Sequence, residues 1–180
     1  MEENLEVKIT VKETFDSLYK LGYFLIDLNS ICNFSAKINK QNVEDIRKPK
    51  RFSYGITSRY LNKDSLDNIK LVEFSQGSFN ATITAPLIVG IVLKVIDKYI
   101  NQGQNHTKIE VTINNPTFIN IINNNFNSNV SLNENLNNVI TEAKKQNLIG
   151  ECNIIYDEDG KKILFHNIDR LKGQLINENW

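Results

Sequence analysis

This chain of 180 residues has only two cysteines, two histidines, one tryptophan, one methionine and three prolines. Each scarcity removes a class of explanation. Cys32 and Cys152 alone do not make the disulfide framework of a small secreted domain. They make no zinc site either, because His106 and His166 stand far apart and neither lies at ligand spacing from a cysteine. The eight glycines are scattered, and neither G-x-x-x-x-G-K-[ST] nor G-x-G-x-x-G occurs, so no Gly-rich turn cradles a nucleotide. Net charge is zero, so no global field draws the chain to nucleic acid or anionic lipid. No apolar run is long enough for a membrane span of about 20 residues. The longest, Ala85 to Leu93, is cut off by Lys94, Asp97 and Lys98. The first residues, MEENLEVKITV, show neither a basic nor an apolar signal region. A cytoplasmic location with two free, buried thiols is the expectation.

Catalytic motifs are missing as well. There is no G-x-S-x-G, and Ser78 lies in a strand–turn–strand context rather than at a nucleophile elbow. Asp157 and Asp159 precede Gly160 but lack the register and distal Glu of an EF-hand loop. Cys152 and His166 read as routine hairpin residues. No metal, cofactor or catalytic residue is assigned. Two carboxylates can meet from anywhere in a chain, so an enzyme with an unrecognised carboxylate site stays an alternative.

What the chain has in plenty is Asn, Ile and Lys, whose codons are AT-rich; this points to a low-GC bacterial or phage genome. The Asn residues are interleaved with Ile, Phe and Leu at helical spacing, unlike a prion-like tract. The most patterned stretch is Ile69–Ile100. Residues 69–74 roughly alternate, Ser75-Gln76-Gly77-Ser78 supplies a reversal, and Phe79, Ala81 and Ile83 alternate with Asn80, Thr82 and Thr84. This predicts a β-hairpin. Pro86 then suits the start of a helix that is apolar on every face from Leu87 to Leu93, with Gly90 permitting close backbone approach. Such a helix is either a central core helix under a sheet or one also buried in a homo-oligomer interface through Leu87, Val89, Gly90 and Leu93. Insertion into a membrane surface is a third reading.

Elsewhere, Leu5–Val11 alternates as a first strand. Glu13 to Phe34 reads as a long helix with an apolar stripe of Phe15, Leu18, Leu21, Leu25 and Leu28, widened by Phe24, Ile31 and Cys32, with Gly22 marking close packing. Lys108–Ile113 reads as a strand, and Pro116 opens a short helix. Ser131 with Glu134 makes a capping box before Leu132, Leu136, Val139, Ile140 and Ala143, and Gly150 lies near the helix stop. Residues 152–156 and 161–165 flank Asp157-Glu158-Asp159-Gly160, a hairpin signal. The tail from Ile168 is ambiguous between strand and helix. The order predicts an α+β fold, a mainly antiparallel sheet covered by helices, with a central fully apolar helix. Residues 1–114 form the core domain. Residues 115–180, a helical pair plus hairpin, are a winged-helix-like unit or part of the same domain.

The best polar candidate is a basic loop in which Arg47, Lys48, Lys50, Arg51 and Arg59 are interleaved with Phe52, Tyr54 and Tyr60. It is a solvated loop, a contact for anions or nucleic acid, with the cations on phosphates and the aromatics stacking bases, or a docking site for an acidic protein.

The segment Val72-Glu73-Phe74-Ser75-Gln76-Gly77-Ser78-Phe79 and the helix Ala85–Ile100 resemble uncharacterised bacterial proteins of mobile-element and defence neighbourhoods. Those share the strand, Gly-Ser turn, strand and apolar helix. The resemblance covers under a fifth of the chain and carries no catalytic residue. It implies a small cytoplasmic accessory, effector-associated or inhibitor protein. The expectation is a non-enzymatic, self-associating binding protein with a protein partner. The alternative is a nucleic-acid or nucleotide-binding protein using residues 47–60.

Overall fold

A computed structural model describes residues 4–12, 15–40, 69–75, 79–103, 107–150, 152 and 158–176. The chain divides into two compact units, Met1–Thr14 with Lys70–Glu151, and Phe15–Ile69 with Cys152–Trp180. Five helices and a four-stranded antiparallel sheet make up the described residues, so the fold class is α+β.

The first unit holds the sheet. Its strands are β1 (Asn4–Val11), β2 (Lys70–Ser75), β3 (Phe79–Pro86) and β4 (Ile109–Ile113), in the order β2-β3-β1-β4. The period-two pattern determines which face is covered. Val7 lies between Ile83 and Ile113, Ile9 between Ala81 and Val111, and Val11 between Phe79 and Ile109, all buried. Glu6, Lys8, Lys70, Glu73, Glu110 and Thr112 are exposed on the other side. A slip of one residue would turn the whole apolar set to water, which fixes the register. The expected hairpin is present as β2–β3, with a bulge between Leu71 and Glu73. The strand order and directions are those of a split βαβ sheet.

Helix α2 (Leu87–Ile100) follows β3 directly, with Pro86 at its N-cap. It packs on β4, β1 and β3 with one side, and on α3 (Pro116–Asn125) and α4 (Leu132–Lys145) with the other. That position between two layers is why it is apolar all round. Burial of each Val, Leu or Ile contributes about 1.5–3 kcal/mol. A Cβ on Gly90 would lie 3.3 Å from Ile113 Cδ1 and 3.5 Å from Val7 Cγ2, so the missing side chain lets the helix approach the sheet.

Short-range chemistry ends these helices. Asn115 and Ser131 cap α3 and α4, accepting from the backbone N–H of Phe118 and Glu134. Helix α4 stops at Lys145, five residues before Gly150. Asn147 takes the left-handed conformation (φ 57°), and Leu148 and Asn147 donate to the carbonyls of Ala143 and Lys144, a Schellman closure with Asn in the usual place of Gly.

The second unit pairs α1 (Leu18–Lys40) with α5 (Glu158–Ile176). Helix α1 begins later than Glu13, because Ser17 accepts from the Lys20 N–H and serves as its N-cap. Helix α5 overturns the expected second hairpin. Residues 161–165 are helical, and Asp159-Gly160 lies in the first turn rather than in a reversal. Leu164, Ile168, Leu171 and Leu175 are buried at spacings of a helix, and that longer period outweighs a local turn signal.

Candidate functional site

Helix α1 has two apolar faces that share an edge, Leu25 and Cys32 lying seven residues apart on one stripe. Phe24, Leu28, Ile31 and Cys32 are buried on one. The other carries Leu18, Tyr19, Leu25 and Ile26, exposed by 87%, 71%, 39% and 53%. The expected stripe mixed the two faces: Leu28 is buried, whereas Leu18 and Leu25 face water. A helix with two apolar stripes gives periodicity no means of choosing between them. Gly22 lies at the centre of this face. A Cβ there would meet nothing within 4 Å. Glycine in a helix interior costs about 1 kcal/mol relative to Ala, and no described neighbour accounts for it.

A polar seam runs beside that face. Asp27, fully buried, accepts from Arg170 Nε at 2.8 Å and from its Nη2. The guanidinium lies 4.9 Å from the Tyr23 ring centroid, and Tyr23 meets Tyr19 edge-on at 4.6 Å. Burial pushes the Asp27 carboxyl above its usual range, and the hydrogen bonds and charge of Arg170, then His166, pull it partly back. The hydrogen bond with Tyr23 raises the Tyr19 phenol. Arg170 contacts both Asp27 and Tyr23, and so ties α5 to α1.

In the first unit, Asp97 on α2 is 4% exposed. It accepts from Lys94 Nζ at 2.6 Å, Asn101 Nδ2 at 2.6 Å and the Val111 N–H at 3.1 Å. Asn101 Nδ2 also donates to the Ile109 carbonyl at 2.5 Å. β4 is the last strand of the sheet, so these two side chains satisfy backbone groups on its outer edge. Around them opens a surface cavity of about 360 Å³, lined by Lys12, Lys94, Asp97, Lys98, Asn101, Thr107 and Glu110. Lys12 pairs with Glu110 at 3.3 Å, and Lys98 donates to Asn123 Oδ1 at 2.6 Å. Burial, then the charge of Lys94, lowers the Lys98 ammonium.

Comparisons with known protein families, curated proteins and solved structures give no match.

The residues singled out from sequence fall in two places. Arg47, Lys48, Lys50, Arg51, Tyr54, Arg59 and Tyr60 lie outside the described residues. Leu87, Val89, Gly90 and Leu93 are buried in α2. No described helix is long and apolar enough to cross a membrane, and no described group of three His, Cys, Asp or Glu could hold a metal. Sequence reasoning passed over Asp97 with Asn101 and Asp27 with Arg170. The first pair has a signal, an i,i+4 Asp–Asn at the end of an apolar helix. The second joins residues far apart in sequence and has none.

Proposed function

We propose that this chain is a non-enzymatic binding protein that self-associates and recognises another macromolecule. One observation supports the reading above the others: α1 keeps a second apolar face, Leu18, Tyr19, Leu25 and Ile26, exposed after its first face has been buried. Uncharged apolar surface with an aromatic at its margin is the composition of an interface centre. The cytoplasm of a low-GC bacterium is the companion proposal, with Cys32 and Cys152 as free thiols. So is an accessory role in a mobile-element or defence setting. The test is the mass of the purified chain by light scattering. Wild type is expected as an oligomer at high micromolar concentration, and Leu25→Glu with Ile26→Glu as a folded monomer. A wild-type monomer under those conditions removes the self-association.

A nucleic-acid or nucleotide ligand is the second reading. Its described support is Lys98 at the cavity whose other cations, Lys12 and Lys94, pair with Glu110 and Asp97. Binding of this kind weakens steeply with salt. Retained binding in a Lys50→Glu, Arg51→Glu, Lys98→Glu variant would remove it.

A further inference from the structure

We draw no further inference here: the strongest candidate, the surface cavity at the end of α2 beside β4, belongs to the second reading above, and its cations are taken up within the chain, Lys12 by Glu110, Lys94 by Asp97 and Lys98 by Asn123 Oδ1, so nothing in the structure shows what would occupy it.

Discussion

At the scale of single residues, the Asp27–Arg170 pair is the most exacting feature. Both side chains are nearly or fully withdrawn from water. Removing one partner of such a pair leaves the other's charge buried, a cost of about 3–5 kcal/mol. Arg170→Ala is expected to lower stability by that order in denaturant unfolding. The double change Asp27→Leu, Arg170→Met is expected to cost much less, because no orphan charge remains. The pH dependence has a definite sign. Burial raises the folded-state value of Asp27 above that of the unfolded chain, and Arg170 offsets only part of this. A carboxyl raised on folding favours the folded state while protonated. That contribution is present below the unfolded value and is lost as pH rises through the folded one. The Tm of wild type relative to Asp27→Asn is therefore expected to be most favourable at acid pH and to decline towards neutrality. A relative Tm that climbs over the same interval would contradict the raised carboxyl.

Two glycines inside helices make opposite predictions at the scale of elements. Gly90 has the Ile113 and Val7 side chains against it, so Gly90→Val overpacks the contact between α2 and the sheet and is expected to cost about 1–3 kcal/mol. Gly22 has open space, so Gly22→Ala, measured at a dilution that keeps the chain monomeric, is expected to gain up to about 1 kcal/mol. Urea unfolding of both variants checks the pair. The same elements show what was legible. The β1, β3 and β4 alternation and the apolar helix were readable because one face of each strand meets α2 and its neighbours, and burial on one face writes a clean period. Residues 158–176 were misread because Ile163-Leu164-Phe165 after Asp159-Gly160 satisfies a strand template locally. Only the longer spacing of Leu164, Ile168, Leu171 and Leu175 distinguishes a helix. The two apolar faces of α1 were visible as residues but not as faces, since nothing in a sequence says which of two stripes finds a neighbour. Asp27 with Arg170 needed the fold itself, because their contact joins the two ends of the chain.

For the whole molecule, the division into two units gives the thiols a use. Cys32 and Cys152 both belong to the second unit and are both buried. The Cys32 thiol, pushed up to about 12 by burial, is both shielded and protonated at neutral pH. A disulfide reagent is expected to leave the native chain unlabelled, and the labelling rate of Cys32 is expected to report the opening of the α1–α5 pair. Arg170→Ala should raise that rate several-fold. Rapid labelling of native wild type would show that α1 is not packed as described.

The outer edge of β4 has one more consequence. A strand edge with free N–H and C=O groups is a template on which another chain can add. Here Asp97 and Asn101, one turn apart at the end of α2, act as a stopper on that template. The stopper is held by the last turn of a helix, and last turns fray before cores melt. Protection of the β4 edge is therefore tied to a few hydrogen bonds at one helix end and not to global stability. Asn101→Ala should aggregate at temperatures where its core amides, such as that of Ile9, are still protected from exchange. Solubility and stability would then come apart at a single asparagine.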